Sequence, residues 1–195
     1  MKFIETLYQR TLLLADHRSA PVFLFLLAFI ESSIFPIPPD VLLIPLVIAA
    51  PTRAWRLALL ATIGSVLGGL AGYGIGALFY DSLGQPILAF YGYQDRFEQF
   101  AGAYNQWGAW IVAGAGLTPF PYKVITIASG VTRLDLVTFM IASVLSRGLR
   151  FFIVAALLWK FGAPIKRFIE RYLPQLTIVF FVLLIGGFVA LKYLF

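Results

Sequence analysis

Two apolar stretches of this chain carry prolines at their centres, and this limits the fold more than any other feature. Residues 21–50 are broken by Pro36-Ile37-Pro38-Pro39-Asp40, and residues 109–131 by Thr118-Pro119-Phe120-Pro121-Tyr122-Lys123. Proline lacks an N–H and crowds the preceding turn, so neither stretch continues as one helix. At 1.5 Å per residue, residues 21–35 extend about 22 Å and residues 41–50 about 15 Å. Each falls short of a hydrocarbon core of roughly 30 Å. Carbonyls bared at the break must find protein or water, because lipid offers no donor. The expected solution is a re-entrant hairpin that turns near the bilayer midplane and leaves by the face it entered.

The solvent is lipid because the composition allows little else. Of 195 residues 61% are hydrophobic and 12% charged, with a mean hydropathy of +0.89. A soluble domain has about 45–50% apolar and roughly 25% charged residues, and a body this small cannot hide such an apolar excess from water. A soluble enzyme, a secreted disulfide scaffold and a disordered regulator are excluded. The net charge of +6, from 15 basic and 9 acidic residues, is not gathered into a stripe, so no nucleic-acid partner is expected. Cytoplasmic Lys and Arg account for it better. Cysteine is absent, which removes disulfide and thiol chemistry. Residues 1–20 do not read as a cleavable signal, since Glu5, Arg10 and Asp16 interrupt them.

The expected fold class is an all-α integral membrane protein, a single membrane domain over residues 1–195. Residues 1–19 read as an amphipathic N-terminal helix, with 3–16 lying on the membrane surface. Residues 20–80 form the first repeat, a broken segment followed by a spanning helix over 54–80. Residues 81–108, with Asp95, Arg96 and Glu98, read as an interfacial connector. Residues 109–160 form the second repeat, with a span over 135–159. Residues 161–195 hold a basic amphipathic segment and a last transmembrane helix.

The repeat is visible in the residues. Pro36-Ile37-Pro38-Pro39-Asp40-Val41 aligns with Pro119-Phe120-Pro121-Tyr122-Lys123-Val124, Thr52-Arg53 with Thr132-Arg133, and Ser65-Val66-Leu67 with Ser143-Val144-Leu145. If the first helix after a hairpin crosses the membrane, the second hairpin enters from the opposite face, giving an inverted repeat. Broken helices in corresponding halves are the best sequence pointer to a transporter's binding site. The hairpin turns fall at Pro36, Pro38, Pro119 and Pro121. Basic residues concentrate on the face holding Lys2, Arg10, Arg53, Arg56 and Lys160, so the N-terminus is expected in the cytoplasm. On this topology Trp55 and Trp159 share the cytoplasmic boundary.

Five ionisable groups stay within the lipid region: Glu31, Asp40, Lys123, Arg147 and Arg150. A charge at the bilayer centre costs about 2.5–3.5 kcal/mol on insertion scales, which makes each a functional candidate with a partner. Arg147 and Arg150 share a helix face with Ser143 and Ser146, and two planar forks of donors suit a phosphate. Lys123 joins them as a head-group ligand. The alternative is that both arginines pair with Glu31 and Asp40 as structural glue. Asp40 and Lys123 hold equivalent repeat positions and are expected to pair across the pseudo-two-fold axis. Glu31, with Asp40, is the candidate proton-coupling group, since burial penalises a carboxylate unless an Arg restores it.

Gly64, Gly68, Gly72 and Gly76 recur on one face of the first span. The ladder suits close packing against the hairpins or against a second copy of the chain, leaving a homo-oligomer open. One histidine, His17, and no cysteine supply no metal site of the usual kind and no His-based nucleophile pair. No catalytic residue, metal or cofactor is expected.

Glu31-Ser32-Ser33-Ile34-Phe35-Pro36-Ile37-Pro38-Pro39-Asp40, the later Gly-rich helix, and a second Pro turn followed by Ala128-Ser129-Gly130 resemble the DedA family of membrane proteins. That family shares the VTT domain with eukaryotic lipid scramblases. The resemblance covers residues 20 to 160 and is nearest the small YqaA-like branch. It implies paired re-entrant hairpins, residence in the bacterial inner membrane and translocation of lipid carriers such as undecaprenyl phosphate or phospholipid, often dependent on the proton gradient. The family's acidic pair falls on Glu31 and Asp40. Of the two arginines that mainstream members carry six residues apart, the second falls on Lys123 and the first on Leu117, so Arg147 or Arg150 is expected to supply the missing cation.

The expected function is a proton-coupled flippase for a phosphate-bearing lipid, not an enzyme. Two further readings use the same features: a proton-coupled transporter of a small soluble ion or osmolyte, and a non-transporting envelope-homeostasis scaffold.

Overall fold

The computed structural model describes residues 19–34, 38–118, 120–162 and 164. The amphipathic helix expected over 3–16, His17, the prolines Pro36 and Pro119, and the segment after 164 lie outside the described residues. All regular structure among the described residues is helical, with no strand.

Helix α1, Ala20–Ser33, starts on Pro21 in its first turn, where the missing N–H costs nothing. It ends at Ser33, three residues before Pro36. Helix α2, Asp40–Ala49, starts after Pro39 with Asp40 in its first turn, a favourable place for a negative charge. A short turn of 3₁₀ helix, Pro51–Arg53, leads directly into α3, Ala54–Phe79. The helical run does not stop there. It passes through a π-helical turn, Tyr80–Gly84, into α4, Gln85–Tyr91, making one helical stretch, Pro51–Tyr91, of 41 residues. Gly92 closes it at φ 68°, a left-handed conformation that glycine adopts without steric cost. Helix α5, Gln94–Leu117, and helix α6, Tyr122–Val131, flank the second break. Helix α7, Leu136–Gly162, follows a turn in which Arg133 takes a left-handed φ of 53°.

The stretch 81–108, expected as a connector, is therefore itself helical, divided between the end of the 41-residue run and the first half of α5. Its polar residues do not interrupt the helices. Glu, Gln and Arg are good helix formers whatever their polarity.

Two helical runs, Pro51–Tyr91 and Leu136–Gly162, are long and apolar enough to cross a membrane, while α1, α2 and α6 are apolar but shorter. Leu59, Ile63 and Leu67 on α3 and Leu145, Leu149 and Ile153 on α7 point outward. An outward apolar face is what a lipid solvent asks for.

Close approaches reveal the directions of the helices. A Cβ on Gly64 would stand 2.4 Å from the Phe25 carbonyl oxygen and one on Gly68 2.1 Å from that of Phe29, so α1 lies beside α3 and runs the same way. Added carbons on Gly72 and Gly76 would strike Thr126 Oγ1 at 2.4 Å and the Ile127 carbonyl at 2.1 Å. The ladder is thus shared, its first half holding α1 and its second half α6. The same relation recurs in the second half of the chain, where Gly108 faces Leu134 and Gly116 faces Ser146: α5 lies beside α7 and runs the same way. Without side chains in the seam the helices gain dispersion contacts, which is what drives association in lipid.

Each end of the molecule has its own core. Ala20, Leu43, Val47, Ala54, Ala58, Phe151 and Leu158 pack at one end, where Trp55 and Trp159 also meet with ring centroids 6.0 Å apart. Tyr104, Val112, Tyr122, Leu134 and Phe139 pack toward the other, where Arg133 pairs with Asp81 on the surface. Ser65 lies eleven positions into α3 and Arg147 eleven into α7, about 16 Å along each helix. The two antiparallel helices meet there, midway between the cores, and the polar residues collect at that level.

Candidate functional site

Arg147 is the largest fully buried side chain among the described residues. Its Nη2 donates to Glu31 Oε2 at 2.9 Å and its Nε to Ser65 Oγ at 2.6 Å. Ser32 Oγ stands 2.7 Å from Ser65 Oγ and donates to Glu31 Oε2 at 2.9 Å. One arrangement of protons satisfies the ring: Arg147 to Ser65, Ser65 to Ser32, Ser32 to the carboxylate, with Arg147 closing it directly. Charge-assisted hydrogen bonds of this kind are the strong ones. The guanidinium also lies 4.8 Å from the ring centroids of both Tyr122 and Phe151, within the range of a cation–π contact. Tyr122, buried at the start of α6, donates its hydroxyl to Ser143 Oγ at 2.6 Å. Arg147 Nη1 has no hydrogen-bond partner among the described residues.

One turn further along α7, Arg150 forms a second pair with Asp40, and its Nη1 donates to the Thr118 carbonyl at 3.3 Å. Thr118 is the C-cap of α5. Lys123 Nζ donates to the Ile34 carbonyl at 3.1 Å, and Ile34 is the C-cap of α1. The last carbonyls of a helix have no intrahelical donor. Within an apolar surround each needs another partner, and cations suit that end of the helix dipole. Thr126 Oγ1 covers the Ser32 carbonyl in the same way at 3.0 Å.

The five charged candidates thus gather on one level, but not all with the expected partners. Glu31 and Asp40 meet Arg147 and Arg150, the pairing weighed as structural glue. The Asp40–Lys123 pair expected across the repeat axis is not formed. Asp40 belongs to Arg150 and Lys123 to the end of α1, because a bared helix terminus competes for the lysine while the arginine fork reaches the carboxylate. Nor do Ser143 and Ser146 serve Arg147: Ser143 accepts from Tyr122, and Ser146 Oγ turns back to the Ser143 carbonyl at 3.4 Å. Of the turn prolines, Pro38 and Pro121 are described. Pro39 and Pro121 stand as N-caps of α2 and α6.

Sequence reasoning overlooked Ser32, Ser65, Tyr122, Thr126 and Phe151 as site residues. A signal existed for Ser65, because the repeat aligns it with Ser143; Ser65 accepts from Arg147, and Ser143 accepts from Tyr122, whose ring lies against that arginine.

The VTT domain family matches residues 37–160, a span that includes every charged candidate except Glu31. An uncharacterized protein of Haemophilus influenzae is 38% identical over 174 residues, covering 87% of this chain and 90% of that protein. An uncharacterized homologue from Histophilus somni is 40% identical over 174 residues, covering 87% and 91%. No solved structure matches. The broken apolar segments, the buried charges and this similarity agree: the chain belongs to the VTT-domain, or DedA, family of membrane proteins.

Proposed function

We propose that this protein is a carrier, not an enzyme, that moves a phosphate-bearing lipid between the leaflets of a bacterial inner membrane, with its N-terminus in the cytoplasm. The observation that carries the reading is the level at which the charges stand. Glu31, Asp40, Arg147, Arg150 and Lys123 converge midway between the two cores, where both broken segments stop. Three cations against two carboxylates leave a net positive site, which favours an anion. The acyl or prenyl chains stay in lipid, so only the head group needs a polar path. In this reading undecaprenyl phosphate or a phospholipid supplies that head group.

The two broken segments act as hairpins re-entering from opposite faces. The helix directions support this: α1 starts beside the start of α3, and α2 returns to that same end through Pro51–Arg53. The second pair, α5 and α6, starts and finishes toward the end marked by Asp81 and Arg133, where Asn105 Nδ2 reaches the Thr132 carbonyl at 2.8 Å. Carbonyls facing lipid are thereby avoided, as a bilayer requires.

Arg150 and Lys123 contact the phosphate, and Arg147 adds positive field from behind while holding Glu31. Asp40 and Glu31 couple the cycle to protons. A proton arriving on Asp40 frees Arg150 for the head group, and its loss restores the pair and expels the ligand. Flipping of fluorescent phosphatidic acid by protein reconstituted in liposomes tests the assignment. Arg150→Ala and Lys123→Ala are expected to slow it about tenfold or more, the effect of losing ~1.4 kcal/mol of head-group interaction. Wild-type rates in both variants, or in Glu31→Gln and Arg147→Ala, would overturn it.

A further inference from the structure

We infer that Lys123 and Arg150 are exchangeable caps: a phosphate group binds by displacing the helix-end carbonyls of Ile34 and Thr118, so that capturing the ligand and parting the two hairpin tips are one event. The inference rests on the proposed reading that the site takes an anionic head group.

The argument lies in what each cation holds. Lys123 is the second residue of α6, after the second break, yet its ammonium caps α1, before the first break. Arg150 on α7 joins the first break to the second, because its two terminal nitrogens go to Asp40 at the start of α2 and to the Thr118 carbonyl at the end of α5. Each cation therefore spans both tips. The Thr126 hydroxyl adds a third tie from α6 to α1 at the Ser32 carbonyl, but it is fully buried and neutral, so an anion has no purchase on it. A carbonyl acceptor carries only a partial charge, and a phosphate oxygen outcompetes it for an ammonium or guanidinium. Lys123 has three N–H donors and Arg150 Nη1 two, so the exchange is a competition for the particular bonds these groups now make to the Ile34 and Thr118 carbonyls. Binding a phosphate through them uncaps α1 and α5 together. Arg147 is not exchangeable in this sense, being enclosed by Glu31, Ser65, Tyr122 and Phe151 with its side chain 1% exposed.

The ligand class is an anionic phosphate monoester, which phosphatidic acid carries and the zwitterionic diester phosphatidylcholine does not, and the source is separable by experiment. The chain contains no cysteine, and Ile34 and Thr118 are both exposed. Spin labels on the double variant Ile34→Cys/Thr118→Cys therefore report the separation of the tips without touching the carbonyls. The full chain is measured by pulsed electron paramagnetic resonance in phosphatidylcholine nanodiscs, with phosphatidic acid added to the lipid or inorganic phosphate added to the buffer. The expected result is a lengthening of the main distance by several ångströms with phosphatidic acid and none with inorganic phosphate. Lys123→Gln or Arg150→Gln in the labelled chain is expected to lengthen the distance in phosphatidylcholine alone and abolish the response, while Lys123→Arg keeps it. Native mass spectrometry of the same samples counts bound lipid. Phosphatidic acid bound in an Arg150-dependent way with no change in distance overturns the exchangeable caps and leaves the lipid reading standing. An equal lengthening with inorganic phosphate keeps the caps and overturns the lipid reading. No binding and no lengthening overturns both.

Discussion

The two carboxylate–guanidinium pairs use the same chemistry one helical turn apart and differ in what surrounds them. In the inner pair the side chains of Arg147 and Glu31 are 1% and 12% exposed, and in the outer pair those of Arg150 and Asp40 are each 19% exposed. Two serines and two aromatic rings complete the inner pair. The outer pair leans on the end of a helix and on a single ring 6.0 Å away. Enclosure keeps the inner pair out of a ligand's reach, and partial access turns a pair of the same chemistry into something a ligand can open. Removing one partner of an enclosed pair strands a charge, whereas an accessible one can trade partners.

The largest expected effect breaks the inner pair. Arg147→Ala leaves Glu31 buried without its cation and is expected to cost about 3–5 kcal/mol, read as a lowered thermal midpoint in detergent. Glu31→Leu combined with Arg147→Met removes both charges and is expected to recover most of that loss. A single variant no worse than Arg150→Ala would erase the distinction between the pairs. Next comes the seam that brings α1, and with it Glu31, up to α3. Gly68→Ala drives a carbon into the Phe29 backbone and is expected to destabilise by roughly 1–3 kcal/mol. Gly74→Ala on the same helix meets nothing within 4 Å and is expected to leave the midpoint unchanged.

Arg150→Gln sharpens the comparison from the other side. It is expected to cost about 1–2 kcal/mol of stability yet to reduce lipid flipping more than any Gly68 variant that still folds. Ser65→Ala, which removes one acceptor from Arg147 Nε, is expected to cost about 1 kcal/mol with little change in the lipid-flipping rate. A transport defect there that exceeded the one in Arg150→Gln would move the exchangeable cation inward.

The smallest effect belongs to a control remote from both pairs. Asp135 accepts the Thr138 backbone N–H at 2.7 Å at the start of α7, which holds its carboxyl below the usual carboxylate range. Its folded pKa is thus lower than its unfolded one, so the stability it adds is present above about pH 4 and is lost as pH falls through the folded value. Asp135→Asn is expected to flatten that slight acid dependence of the thermal midpoint and to leave flipping intact.

Much of the arrangement could be read before any coordinates. Proline placement divided both apolar segments where the helices in fact stop, α1 at Ser33 and α5 at Leu117, because the lost N–H and the steric clash act within a few residues. The five charges within the apolar segments were marked by their cost in lipid, and all five stand on one level. The partners were less legible. Asp40 was matched to Lys123 by repeat position, but Arg150 lies far away in sequence and only the packing of α7 against the hairpins brings it near. Ser65 and Tyr122 were legible as repeat positions but not as site residues, because a serine or a tyrosine in an apolar helix carries no local sign of the partner it will meet. The 41-residue run extends past the expected end at 80 because Asp81, Ser82, Gly84, Gln85 and Pro86 look like a boundary, yet a π-helical turn carries the helix through them.

Local chemistry by itself determined the lipid solvent, the helical class, the breaks and the list of charges that must find partners, since each follows from a residue and its near neighbours. Only the tertiary structure decided which charge meets which, that the glycine ladder serves two different helices, and that two cations cap helices across the breaks. Those outcomes depend on distances between segments remote in sequence, fixed by how closely backbones approach where a side chain is absent.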